Sequence, residues 1–123
     1  MQHPLGSEPS FDVSIVGVDD DCVVVFRGEL DMTATDELWT CIELARRSGR
    51  PLTMDLAETT FMDSSGINLL LNAYRAHGQI AEAVTLRSPS DAVRTTLAMA
   101  GIGGLFRIDG QAAERAASAH GPP

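Results

Sequence analysis

The sequence predicts an α/β domain, one mixed sheet with helices packed on it, and three observations carry that expectation. Segments of strand character alternate with segments of helical period, in the order strand, strand, helix, strand, helix, strand, helix, strand, helix. Strands separated by helices need crossover connections and pair in parallel. Cys22-Val23-Val24-Val25-Phe26 is an unbroken apolar, largely β-branched run, the composition of a strand covered on both faces. The first two strands are separated only by Asp19-Asp20-Asp21, which predicts an antiparallel hairpin. A length of 123 residues with 44% hydrophobic side chains fits one globular domain and excludes a disordered chain.

Residues 1–10 are polar with Pro4, Gly6 and Pro9, and read as a loose tail before a domain over 11–119; residues 120–123 read as a second tail. Phe11, Val13 and Ile15 alternate with Asp12 and Ser14, a half-buried strand. The acidic triplet reads as a solvated hairpin turn. A calcium loop would need further ligands and a glycine at fixed offsets, which are absent. After Gly28-Glu29-Leu30-Asp31, Thr33 is the expected cap of a first helix whose stripe is Ala34, Leu38, Cys41, Ile42 and Ala45. Arg46 and Arg47 suit its last turn and Gly49 its stop.

Leu52–Leu56 reads as a short third strand, with Glu58–Met62 leading out of it. Asp63-Ser64-Ser65-Gly66 opens a second helix. Its apolar residues (Ile67, Leu69, Leu70, Leu71, Ala73, Tyr74, Ala76) fall almost all round, so a largely buried helix is expected. Gly78 closes it, and Ala83–Leu86 is the next strand. Ser88-Pro89-Ser90-Asp91 starts a third helix, with Ser88 as the cap and Pro89 at the first position. Val93, Leu97 and Ala100 share its inner face, and Gly101 ends it. Leu105–Ile108 is the last strand, and Gln111–Ala119 an Ala-rich fourth helix.

Charge and residue types remove several functions. Seventeen acidic residues against nine basic ones give a net charge of −8. Such a field repels phosphate backbones and argues against DNA or RNA binding. All nine bases are arginine, so lysine chemistry is excluded. Cys22 and Cys41 have no Cys-x-x-Cys partner, and His3, His77 and His120 are scattered, so no metal site or cofactor is expected. Both cysteines are expected reduced and buried. No apolar run reaches the roughly 18 residues of a membrane span, and no signal-peptide pattern opens the chain, so a cytoplasmic location is expected.

Four readings of the Asp63–Gly66 turn compete. A hydrolase nucleophile elbow needs Gly two residues on either side of the serine, which neither Ser64 nor Ser65 has. A phospho-accepting Asp55 or Asp63 would lack the lysine that such sites use. Ser64 or Ser65 can cap the helix. A regulatory phosphoserine would place about −1.5 to −2 charges against free amides and the positive end of the helix dipole.

Gly28-Glu29-Leu30-Asp31 with Thr33-Ala34, Phe61-Met62-Asp63-Ser64-Ser65-Gly66-Ile67, Ser88-Pro89 and Gly101…Leu105-Phe106-Arg107-Ile108 together resemble the STAS domain of bacterial anti-sigma factor antagonists, over about Phe11 to Ile108. The resemblance implies a STAS fold and a cytosolic, non-enzymatic protein. It implies a partner, an anti-sigma factor of the histidine-kinase-like ATPase type, whose capture frees a sigma factor. That partner phosphorylates the serine after the Asp, here Ser64, and the complex dissociates; a phosphatase resets it. Asp31 matches an acidic residue of partner recognition, and Glu29, Met62, Asp63, Ser65 and Gly66 complete the expected docking surface. Asp91, Thr95 and Gly103-Gly104 depart from the family's usual residues, away from the turn. The same fold also serves as a subunit of stressosomes and lipid-transport complexes, the alternative without a phospho-switch.

Overall fold

The computed structural model describes residues 11–18, 20–80 and 82–110. In chain order these form β1 (Phe11–Val18), β2 (Asp21–Leu30), α1 (Thr35–Arg47), β3 (Leu52–Met62), α2 (Ser64–Ala76), β4 (Val84–Arg87), α3 (Asp91–Ala100), a 3-10 turn (Gly103–Leu105) and β5 (Arg107–Asp109). The sheet order is β1-β2-β3-β4-β5. β1 and β2 pair antiparallel, and the three other pairs are parallel. This is the mixed α/β sheet that the alternation predicts. The expected N-terminal tail, the fourth helix over Gln111–Ala119 and the C-terminal tail lie outside the described residues.

Side-chain alternation along the strands decides where the core sits. Val24, Phe26 and Leu30 of β2, Met54 and Leu56 of β3 and Leu86 of β4 join one buried cluster. Leu38 and Ile42 of α1, Leu69, Leu70 and Ala73 of α2, and Val93 and Leu97 of α3 complete it. Each of the larger side chains contributes about 1.5–3 kcal/mol by leaving water. On the opposite face Val23 and Thr53 are also buried, and beside them stand charged residues. Arg27 lies between Asp12 (3.5 Å) and Glu58 (3.2 Å), and Arg87 meets Asp55 at 2.8 Å.

Several boundaries differ from the sequence reading. β3 does not stop at Leu56 but continues through Glu58–Met62, because β2 runs beside it to the pairs Gly28↔Thr59, Glu29↔Phe61 and Leu30↔Met62. Two register shifts interrupt that pairing, and Gly28, with φ 106°, stands at one of them. On its other edge, the end of β3 meets α3 rather than β4. Ser90 N donates to Leu56 O (3.1 Å), Ser90 Oγ to Thr59 O (2.5 Å), and Thr96 Oγ1 to Met62 O (3.1 Å).

Ser90, not Ser88, caps α3, its Oγ accepting from Val93 N at 3.3 Å. Thr33 does not cap α1. Ala34 holds that position with no side-chain cap, and Thr33 turns back to Asp31. α2 is buried on one face rather than all round, with Asn68, Asn72 and Arg75 exposed. The last strand is shifted to Arg107–Asp109.

Cys22 is buried at 7% exposure, whereas Cys41 is only half-buried at the flank of α1. Both are free thiols. Burial, aided by Glu37, pushes the Cys41 thiol above its ordinary range, which suppresses the reactive thiolate. Cys22→Ser is expected to cost about 1–3 kcal/mol, because a hydroxyl replaces a thiol in the core. Cys41→Ser is expected to cost less. Urea denaturation of the two single variants checks this ordering.

Candidate functional site

β2 and β3 are parallel and end together at Leu30↔Met62. Asp63 N donates to Leu30 O at 3.5 Å, so the two chain exits are tied. Asp31 leaves one strand and Ser64 the other, each one residue beyond that bond. This brings the two motifs noted in the sequence, Gly28–Asp31 and Met62–Gly66, to one end of the sheet.

Asp63 caps α2, and neither serine does. Its Oδ1 accepts from Ser65 N at 2.9 Å, and its carbonyl accepts from Ile67 N at 3.1 Å. Ser64 therefore stands at the first position of the helix. Its side chain is exposed and makes no hydrogen bond among the described residues. A first-turn serine in that place has its hydroxyl in solvent and unpaired helix amides beside it. Ser65 is partly covered, while Met62 (4% exposed) and Gly66 are buried. Met62 and Gly66 thus supply position rather than contact. Glu29 is exposed, opposite the half-exposed Phe61 on β3.

Asp31 is engaged locally. Its Oδ1 accepts from Thr33 Oγ1 (2.6 Å) and Thr33 N (3.0 Å), and its carbonyl accepts from Ala34 N (3.0 Å). The Thr33 hydroxyl first, then the Thr33 amide, hold its carboxyl below the usual range. A depressed folded-state value means that this turn stabilises the fold above the ordinary Asp pKa of about 3.9. That contribution fades as pH falls through the lower folded value. Asp31→Asn is therefore expected to flatten the acid limb of the stability curve. Urea midpoints at neutral and acidic pH check it: the wild type must lose more between them than the variant.

Beside the turn, α1 and α2 leave a groove of about 390 Å³, lined by Thr35, Asp36 and Trp39 on one side and Ser65, Asn68, Leu69 and Asn72 on the other. Sequence reasoning missed this feature. The available signal was Asn68 and Asn72, two amides one helical turn apart in the largely apolar middle of that helix. Among the described residues, no group of three or more metal-ligating side chains comes together, and no helix is long and apolar enough to cross a membrane.

The family profile described as Mlab, STAS domain, matches residues 13–108, and the chain belongs to the STAS-domain family. The structure is similar to that of the anti-sigma factor antagonist SpoIIAA in its unphosphorylated form, with 25% identity and a TM-score of 0.67, covering 91% of this chain and 99% of that one. The Bacillus cell fate determinant SpoIIAA in its phosphorylated form matches at 26% identity and a TM-score of 0.59, covering 89% of this chain and 100% of that one. An anti-sigma factor antagonist from Mycobacterium paratuberculosis shares the fold at 20% identity and a TM-score of 0.72, covering 91% and 96%.

Proposed function

We propose that this protein is an anti-sigma factor antagonist. It binds an anti-sigma factor of the histidine-kinase-like ATPase type and so releases a sigma factor. Phosphorylation of Ser64 by that partner ends the complex, and a phosphatase restores it. The observation that carries the reading is the place of Ser64: the first residue of α2, exposed, and held there by the Asp63 cap. The likeness to SpoIIAA, described in both phosphorylated and unphosphorylated forms, supports it.

The chemistry asked of this chain is slight. It presents a hydroxyl and accepts a phosphoryl group; it needs no catalytic group or cofactor of its own. We take it to be a non-enzymatic, cytoplasmic protein that binds neither nucleic acid nor membrane. Asp31, Glu29, Asp63 and Ser65 present the polar surface around the acceptor.

Incubation with the kinase-type anti-sigma factor of the same genome and ATP, followed by mass mapping, tests the switch. Phosphate is expected on Ser64. Phosphate on Ser65 would move the acceptor by one residue. A tight complex without phosphate on either serine would overturn the switch and leave a constitutive binding module.

A further inference from the structure

We propose that the groove between α1 and α2 seats an arginine side chain of the protein partner. The inference rests on the reading of the Ser64 end as the docking surface, because Ser65 lines the groove and makes it continuous with that turn.

The groove offers what a guanidinium binds. Asp36 brings a carboxylate that forms no ion pair among the described residues. Trp39 brings a half-buried indole from the same helix, one turn further on. Asn68 faces them from α2 with an exposed side-chain amide that has no hydrogen bond among the described residues. Asn72, at the far end, already accepts from Arg75 Nη1 at 3.2 Å, so Asp36 is the open charged acceptor, with the Asn68 amide and the Ser65 hydroxyl beside it. None of the lining residues is basic.

The alternatives fit less well. An anion would meet Asp36 in the lining and Glu37 beside it, both in the first turn of α1, where they already face the helix's positive end. An apolar side chain would strip water from a carboxylate and an amide without replacing their hydrogen bonds. A lysine would find the charge but not the planar match. Guanidinium is flat, stacks on an indole face and donates in a fork to a carboxylate. A net charge of −8 draws such a side chain in from a distance.

Trp39 is the chain's one tryptophan, so tryptophan fluorescence has a single source, in the wall of this groove. The probes are acetyl-Gly-Arg-Gly-amide and its Lys and Gln counterparts, titrated against the unphosphorylated protein. Trp39 emission and the NMR signals of the Trp39 indole and Asn68 side-chain amide are read together. The arginine peptide is expected to saturate at millimolar concentration, and the lysine peptide to bind roughly threefold more weakly. The glutamine peptide is expected to shift nothing. Asp36→Asn is expected to weaken the arginine peptide at least about threefold while leaving the circular dichroism unchanged. No response to the arginine peptide, or an equal response to the glutamine one, would overturn the proposal. This arm needs neither kinase nor phosphate, so it stands apart from the fate of Ser64. In the second arm, Asp36→Asn is expected to weaken kinase binding several-fold. Normal phosphorylation of Ser64 with unaltered binding by that variant would refute the arginine seat and leave the switch intact.

Discussion

Gly66→Val is expected to destabilise the fold by about 3 kcal/mol, the upper range for overpacking a tight core. Gly66 is buried at the start of α2, where the helix passes over the ends of β2 and β3. A Cβ built there would intrude on Met62 Cγ and lie 3.0 Å from Met62 Sδ and 3.1 Å from Leu30 Cγ. Met62 and Leu30 are themselves buried and paired across the sheet, so one of two packed core side chains must shift to admit it. Gly66→Ala makes the same intrusion with one methyl. It recovers up to about 1 kcal/mol of helix propensity, so its net cost is about 1–2 kcal/mol. The valine variant also loses χ1 freedom in a helix. For a domain of this size, the valine change corresponds to a fall in melting temperature of more than about 10 °C. Thermal and urea unfolding of both variants checks the ordering. A stabilised Gly66→Ala would mean that Met62 repacks freely and that close approach is not why glycine stands there.

That contact explains why a small residue follows the serines, and it separates what the sequence made legible from what it did not. The unbroken run of β2, the spacing of the inner-face residues of α1 and the glycine stops are direct readings of burial and period; on α3, Val93 and Leu97 are buried as expected, but Ala100, in its last turn, is exposed. The two blocks that meet at the site were also visible, although nothing in their spacing says that they meet. Their meeting follows from the parallel pairing of β2 with the far half of β3, and that half was hidden. Its buried positions run Leu56, Thr59, Met62, a spacing of three rather than two, because two register shifts interrupt the ladder. A strand without period 2 reads as a loop. The caps were ambiguous for another reason. Ser88 and Ser90 flank a proline, and Asp63, Ser64 and Ser65 are consecutive; all are good caps, with close energies. Tertiary partners chose between them. The second hydrogen bond of Ser90, to Thr59 O, exists only because α3 lies along β3. The groove was hidden most completely, since its walls come from helices that only the fold brings together.

The switch itself gives the last expected result. Ser64→Asp is expected to fold as the wild type does, yet to bind the kinase-type anti-sigma factor at least about tenfold more weakly, a change of roughly 1.4 kcal/mol or more. Folding is spared because the side chain is exposed and its neighbours are the free amides of the first turn of α2. A carboxylate there is favoured by the dipole by about 0.3–1 kcal/mol. Docking is not spared. The turn already holds Asp63, whose carboxylate is committed to Ser65 N, and Asp31 leaves the adjacent strand. A partner surface shaped to a neutral hydroxyl would have to desolvate one more charge without a new cation to meet it. A phosphate, larger and carrying about −1.5 to −2 charges, acts in the same direction with greater force. Ser64→Ala is expected to bind like the wild type and to resist phosphorylation, holding the sigma factor free, whereas Ser65→Ala still accepts phosphate. Titration calorimetry of the four proteins against the kinase, with melting curves beside it, separates docking from folding. Ser64→Asp binding as tightly as wild type, at unchanged stability, would show that charge at this position does not control the complex, because the variant carries that charge in the exposed place the phosphate would take.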